Sequence, residues 1–158
     1  MFQRHCATAE QTQQAGEAFS RVLRAGDVVL LDGPLGAGKT TFVQGVAKGL
    51  GVKERVTSPT FTLVREHACL DHLTIKKMHH ADVYRIGHLD EVYDLALGEL
   101  VEENGVALVE WGELAAPAFG PNVMRIDFVV SDDESRTLSV SGDAAKEREE
   151  VLSTWATS

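Results

Sequence analysis

The chain has 158 residues, 44% of them hydrophobic, a length and composition that fit one globular domain with a single core. No apolar run reaches the roughly 20 residues of a membrane-spanning helix, and residues 1–6 lack the apolar segment of a secretory signal, so we expect no membrane association. The formal net charge is −9, with 24 acidic against 15 scattered basic residues, which argues against strong autonomous binding to a nucleic-acid backbone.

The cysteines and histidines point to neither a disulfide framework nor a zinc site. Cys6 and Cys69 are the only cysteines, and neither lies in a recognisable catalytic context. No cysteine or histidine pair has zinc-ligand spacing. We therefore expect a cytoplasmic protein that forms one domain over residues 1–158.

The N-terminal region predicts a helix followed by a buried strand. Thr8 at the N-cap position and Gln11 three residues later form a capping box, and apolar side chains then follow with helical spacing as far as Leu23. Gly26 fits the end of this helix. Residues 27–31 are expected to form a buried strand that leads directly into a glycine-rich loop.

This loop, residues 33–40, reads Gly-Pro-Leu-Gly-Ala-Gly-Lys-Thr and matches the complete P-loop pattern, with helical spacing following to about Leu50. The glycines let backbone N–H groups turn toward phosphate oxygens, and the helix N-terminus adds partial positive charge. We expect Lys39 to reach the β- and γ-phosphates and Thr40 to place its hydroxyl on Mg²⁺. The sequence therefore predicts a nucleoside triphosphate site. Its predicted contacts in this loop and at the residue after it are Leu35, Gly36, Ala37, Gly38, Lys39, Thr40 and Thr41.

The rest of the chain alternates predicted strands and helices. Residues 131–135 read as the turn of a hairpin between its last two strands. The fold class is therefore α/β, with a P-loop NTPase-like mixed sheet flanked by helices and an antiparallel hairpin toward the C-terminus. Strands are predicted at 61–66, 75–84, 106–109, 124–130 and 136–140, and helices at 89–103 and about 143–156. The charged run 147–150 in the last helix, which includes Arg148, is expected to form a solvated face.

Three further residues are candidates for the chemistry of a P-loop site. Glu110 ends an apolar strand, where such sites carry the acid that holds Mg²⁺; the alternative is a surface glutamate at a strand end. Asp82 shares one face of a predicted strand with His80, and a polar strand face is also often simply solvated. Thr60 lies in a Pro-containing loop, where a threonine either senses the γ-phosphate and Mg²⁺ or serves only as a turn residue.

Several classes of P-loop protein are disfavoured by absent motifs. The sequence has no Asn-Lys-x-Asp pattern for guanine and no Leu-Ser-Gly-Gly-Gln signature of transporter ATPases. It also shows no long Arg-rich lid of the sort that nucleotide kinases use. The missing guanine motif points away from GTP.

Four motifs stand in order along the chain: the P-loop to Thr41, Ser-Pro-Thr-Phe-Thr-Leu at 58–63, His-x-Asp-x-Tyr-Arg at 80–85 and Val-Glu-Trp at 109–111. This ordered set resembles the TsaE (YjeE) family. These are small bacterial P-loop ATPases involved in making the threonylcarbamoyl-adenosine modification of transfer RNA. The resemblance extends from about residue 8 to about residue 113.

The resemblance implies roles for individual residues. Thr60 is expected to face the nucleotide–metal site, Asp82 to be a catalytic or metal-linked carboxylate, and Glu110 to be the Mg²⁺ acid. Thr40 completes the expected metal ligands, and Lys39 joins Thr60, Asp82 and Glu110 as a catalytic group. Nucleotide contacts outside the P-loop are expected from Thr12, Trp111 and Arg136.

The same resemblance implies an ATPase subunit that uses ATP and Mg²⁺ and acts on two partner proteins, TsaD and TsaB, at adenosine 37 of transfer RNA. Transfer RNA would be met only indirectly, through these partners. Hydrolysis would reset the partner complex between turnovers. Two alternatives stay open: a nucleotide-dependent binding switch with negligible free turnover, and a small-molecule kinase.

Overall fold

A computed structural model describes residues 1–59, 64–83, 99, 101–113 and 115–158 of the chain. Its seven described strands form one sheet in the order β1-β7-β6-β2-β5-β4-β3. The strands are β1 (Phe2–Cys6), β2 (Val28–Asp32), β3 (Val64–Ala68), β4 (Lys77–Asp82), β5 (Gly105–Glu110), β6 (Met124–Val130) and β7 (Arg136–Ser141). The described helices are α1 (Ala9–Phe19), α2 (Lys39–Gly49), α3 (Ala116–Phe119), α4 (Asp143–Lys146) and α5 (Glu149–Thr157).

The centre of the sheet is parallel and its two sides are antiparallel. Strand β2 runs parallel to both β5 and β6, and β4 runs parallel to β5. The pairs β3–β4, β6–β7 and β1–β7 are antiparallel. Because parallel strands end at the same edge of a sheet, the last residues of β2, β4 and β5 meet there. These are Asp32, Asp82 and Glu110.

This architecture confirms the α/β class, the mixed sheet and the C-terminal hairpin. The capping box is also present, because the Thr8 side chain accepts a hydrogen bond from the backbone N–H of Gln11. Helix α1 nevertheless ends at Phe19, before the predicted end near Gly26. The predicted helix at 89–103 falls largely outside the described residues. Among the residues described, no helix has the length and apolar character needed to cross a membrane.

Strand β1 and the C-terminal helix also differ from the sequence predictions. Strand β1 was not predicted, because its residues carry little apolar pattern and it forms by pairing with β7. The single helix predicted at about 143–156 is instead two helices, α4 and α5. They are separated at Arg148, whose backbone angles (φ −129°, ψ 33°) lie outside the helical region.

Helices α1 and α2 lie on one face of the sheet and approach each other at backbone distance. A Cβ atom placed on Gly45 of α2 would lie 2.0 Å from the carbonyl oxygen of Gln13 in α1. The rings of Phe19 and Phe42 pack beside this crossing, with centroids 5.5 Å apart. The glycine therefore allows the P-loop helix to pack closely on its neighbour.

We expect Gly45→Ala to destabilise the fold. Alanine favours a helix by about 1 kcal/mol over glycine, but the added methyl group must displace α1, and overpacking typically costs about 1–3 kcal/mol. Urea unfolding should therefore show a net loss of stability. Lys48→Ala, which changes an exposed residue of the same helix, is the control and should be nearly neutral. Equal stability of the two variants would contradict this packing.

Arg148 ties the C-terminal helices to the start of the central strand. The sequence pattern suggested a solvated residue, but the side chain is buried and forms a bidentate ion pair with Asp27, with N–O distances of 2.5 and 2.7 Å. Its guanidinium also donates to the carbonyl of Val22. Asp27 also accepts a hydrogen bond from the backbone N–H of Arg24, with an N–O distance of 2.7 Å.

We expect Arg148→Met to lower the free energy of unfolding by about 3–5 kcal/mol, because it leaves the Asp27 carboxylate buried without its ionic partner. Chemical denaturation measures this loss. Lys146→Met, which alters an exposed cation two residues earlier, serves as the control. A loss no larger than that of the control would show that the ion pair does not hold the C-terminal helices.

Candidate functional site

The P-loop connects the end of β2 to the first turn of α2. Gly38 is the N-cap residue of α2, with a left-handed φ of 97°. A side chain there would be strained, and its Cβ would lie 3.4 Å from the methyl group of Thr12 and 3.5 Å from Nε of Arg136. The loop backbone is thereby positioned with the helix N-terminus behind it, which is the arrangement that favours phosphate.

Arg136 of β7 hydrogen-bonds the backbone of the P-loop. Its Nε donates to the carbonyl of Ala37 at 2.9 Å, and a terminal nitrogen donates to the carbonyl of Gly36 at 3.0 Å. Thr12 is fully buried, and its hydroxyl donates to the carbonyl oxygen of Thr8, the N-cap residue of α1. Both residues therefore lie near Gly38 of the P-loop, and Arg136 hydrogen-bonds the loop backbone. Their expected contacts with the nucleotide stay predictions.

Lys39 is nearly buried within the loop. Its Nζ donates to the carbonyl of Gly33 at 2.6 Å and lies 3.5 Å from the ring centroid of Trp111. Burial lowers the pKa of Lys39, while the carboxylates of Glu110, Asp32 and Asp82 act in the opposite direction. The ammonium group therefore lies near three carboxylates and over an aromatic ring. Because it is shielded from water, its electrostatic attraction for an anion is stronger than it would be in solvent.

Trp111 reaches this position through an unusual backbone conformation. Its φ is 60°, in the left-handed region that large side chains rarely adopt. The residue directly follows β5, so this turn places the indole over Lys39. Strain of this kind is typical of functional sites.

Thr40 and Glu110 meet at the base of the site. The Thr40 hydroxyl lies 3.0 and 2.9 Å from the two carboxylate oxygens of Glu110 and donates its hydrogen to them. Glu110 also accepts a hydrogen bond from Nε2 of His80. The prediction placed Glu110 at a strand end; the structure shows in addition that its carboxylate is buried and linked directly to the P-loop helix.

A cleft of about 260 Å³ opens above these groups. Asp82 borders it from β4, where it pairs in register with Glu110 of β5. Ser58 borders it from the segment that follows α2. Thr60, which is also a proposed catalytic residue, lies outside the described residues. The cleft is lined by Leu35, Gly36, Ala37, Gly38, Lys39, Thr40, Thr41, Ser58, Asp82, Glu110 and Trp111.

Two contributors were not identified from the sequence. His80 was considered only as one member of a polar strand face, yet it is completely buried and bonded to Glu110. Asp32, the last residue of β2, has its pKa raised by burial, and it accepts a hydrogen bond from the backbone N–H of Glu113. A carboxylate placed directly before the P-loop was the available signal for Asp32.

The donor set fits a small divalent cation. Magnesium prefers oxygen ligands and is usually held by one or two of them beside a nucleotide phosphate. The Thr40 oxygen keeps its lone pairs available because its hydrogen points to Glu110, and the Glu110 carboxylate is adjacent. These two residues are the ones that would hold such an ion.

A P-loop between a central parallel strand and a helix, with a buried carboxylate on the neighbouring strand, defines a P-loop nucleotide-binding protein. The family model described as "Threonylcarbamoyl adenosine biosynthesis protein TsaE" matches residues 6–138. The chain therefore belongs to the TsaE family.

Individual relatives agree with this assignment. The chain is 40% identical over 134 residues to a tRNA threonylcarbamoyladenosine biosynthesis protein TsaE of Treponema pallidum, covering 85% of this chain and 96% of that protein. It is 42% identical over 135 residues to the TsaE protein of Streptomyces coelicolor, covering 82% and 89%. The crystal structure of Bacillus subtilis YdiB superposes with a TM-score of 0.75 at 28% identity, covering 98% of this chain and 93% of that one.

Arg136→Met should loosen the P-loop without unfolding the protein. The variant loses the donors to Gly36 and Ala37, so the amide of Ala37, which bonds to the carbonyl of Pro34, should open more often. Hydrogen exchange should show about tenfold faster exchange of this amide, which corresponds to the roughly 1.4 kcal/mol of one hydrogen bond. Arg125→Met on β6 is the control, and unchanged P-loop exchange in Arg136→Met would contradict the supporting role.

Proposed function

We propose that this protein binds and hydrolyses ATP with Mg²⁺ in the pathway of tRNA N6-threonylcarbamoyladenosine formation, and that it acts on a complex of TsaD and TsaB. The observation that carries the proposal is the contact between Thr40 of the P-loop helix and the buried Glu110 of β5, beside the Lys39 ammonium group. Phosphoryl transfer needs this combination of phosphate cradle, cation and metal-holding carboxylate.

The roles follow from the positions of the side chains. Backbone N–H groups of the P-loop and Lys39 would bind the phosphates, and Thr40 and Glu110 would hold the metal. When bound, Mg²⁺ neutralises negative charge on the phosphate oxygens. Asp82 would position the attacking water, because its carboxylate borders the cleft and can accept a hydrogen bond from that water. Thr60 is the second candidate for placing this water.

The charge of the chain supports an indirect relation to RNA. A protein with a net charge of −9 is repelled by a phosphate backbone, so the partners would hold the transfer RNA. The relatives carry the name of this biosynthetic pathway. ATP hydrolysis would then change the state of the partner complex.

The test is ATP turnover by the chain alone and with TsaD and TsaB. We expect slow release of phosphate by the chain, stimulated by the partners, and a loss of about 100-fold or more in Lys39→Ala and Glu110→Gln because each removes a charge from the site. Glu113→Gln, an exposed glutamate three residues after Glu110, is the matched control. Full turnover in Glu110→Gln would remove this residue from the site.

A second measurement separates hydrolysis from binding. Multiple-turnover tRNA modification is followed with ATP and with a non-hydrolysable analogue. The proposal predicts that the analogue supports at most one round. Equal modification with both nucleotides would contradict a role for hydrolysis and indicate a binding switch.

A further inference from the structure

His80 lies completely buried beneath the candidate site. It lies in β4, two residues before the end of the strand. Like Met78, it faces the side of the sheet that α2 covers. In register it is opposite Leu108 of β5, two residues before Glu110. The imidazole is thus buried behind the residues that line the cleft and is not itself one of them.

The hydrogen bond between His80 and Glu110 has a defined direction. An ionised carboxylate can only accept, so Nε2 of His80 carries the hydrogen and donates it to Oε2 of Glu110. Thr40 donates to the same carboxylate from the P-loop side. Glu110 is therefore held between a ring N–H behind it and a hydroxyl in front of it.

This arrangement is difficult to explain by stability alone. The other ring nitrogen of His80, Nδ1, is buried and has no hydrogen-bond partner within the described residues. A buried polar atom without a partner costs free energy, and apolar residues of similar volume often replace buried ionic or polar pairs without loss. The bond to Glu110 has a geometric consequence instead: it fixes the plane of the carboxylate.

We infer that His80 is a positioning residue, which orients the Glu110 carboxylate so that the Thr40 hydroxyl hydrogen stays directed at Glu110 and the Thr40 oxygen stays free for a divalent cation. The inference rests on the proposed nucleotide and metal site. It adds a residue that would touch neither the metal nor the nucleotide. Groups that hydrogen-bond a metal-holding carboxylate commonly change metal affinity by about 10–100-fold when removed.

Three variants separate orientation from simple packing. His80→Leu keeps an apolar side chain of similar size and removes the donor. His80→Gln restores a donor, because the glutamine amide nitrogen reaches about as far as Nε2 of histidine. His79→Leu makes the same change at the neighbouring buried histidine, which lies on the opposite face of β4.

The first readout is the metal dependence of nucleotide binding. Calorimetry with a non-hydrolysable ATP analogue gives the dissociation constant with excess Mg²⁺ and with a chelator. The chelator value divided by the Mg²⁺ value reports how much the metal strengthens binding. We expect His80→Leu to lower this ratio about tenfold or more. The dissociation constant measured with the chelator should change little. His80→Gln and His79→Leu should stay within about threefold of the unmodified protein.

The second readout needs no nucleotide and no metal. Nuclear magnetic resonance of ¹⁵N-labelled protein should show a slowly exchanging Nε2–H signal of His80, absent in His80→Leu and shifted in Glu110→Gln. This signal reports the bond itself. The backbone amide signals of the same spectrum show whether each variant is folded, because they should otherwise be unchanged.

The outcomes distinguish this inference from the proposed function. If the unmodified protein binds the analogue no better with Mg²⁺ than with the chelator, both fall. If Mg²⁺ strengthens binding equally in the unmodified protein and in folded His80→Leu, the positioning role is overturned while the proposed function stands. Failure of His80→Gln to restore the metal effect that His80→Leu loses would likewise overturn it.

Discussion

The parallel pairing of β2 with β5 is the constraint on which the site depends. It brings Glu110, the last residue of β5, beside the helix that begins directly after the β2 loop. The Thr40 hydroxyl then lies within hydrogen-bond distance of a carboxylate 70 residues later in the chain. A shift of one residue in this register would turn Glu110 to the other face of the sheet and away from α2.

Contacts outside the cleft keep this edge of the sheet in place. Arg136 from the hairpin and Thr12 from α1 lie beside Gly38 of the P-loop, and the close crossing at Gly45 packs α2 against α1. At the opposite end of β2, Asp27 anchors the C-terminal helices through Arg148. The central strand β2 is therefore connected at one end to the P-loop and at the other to the C-terminal helices.

The local patterns of the sequence predicted a large part of this structure. The P-loop, the buried strands on either side of the site and the hairpin each depend on neighbouring residues, so spacing and turn chemistry were sufficient. Glu110 could be predicted because the strand before it is uniformly apolar. Strand β1 could not, because Phe2–Cys6 is an edge strand whose structure comes from pairing with β7.

The remaining differences have the same physical origin. Arg148 was placed among solvated charges, since nothing near it in sequence shows its partner Asp27, which is 121 residues away. His80 was weighed as a polar strand residue, and only the pairing of β4 with β5 shows that its ring meets Glu110. Long-range partners decide whether a polar residue is solvated or buried, and a single sequence does not contain them.

The central claim is that Thr40 and Glu110 form a metal site beside a P-loop that holds a nucleotide. A crystal structure of the protein with a non-hydrolysable ATP analogue and Mn²⁺, in which anomalous scattering locates the metal, tests it most directly. The account predicts the metal about 2 Å from the Thr40 hydroxyl oxygen, between that residue and the phosphates, with Glu110 adjacent. Phosphates bound on the P-loop with the metal away from both side chains would contradict it.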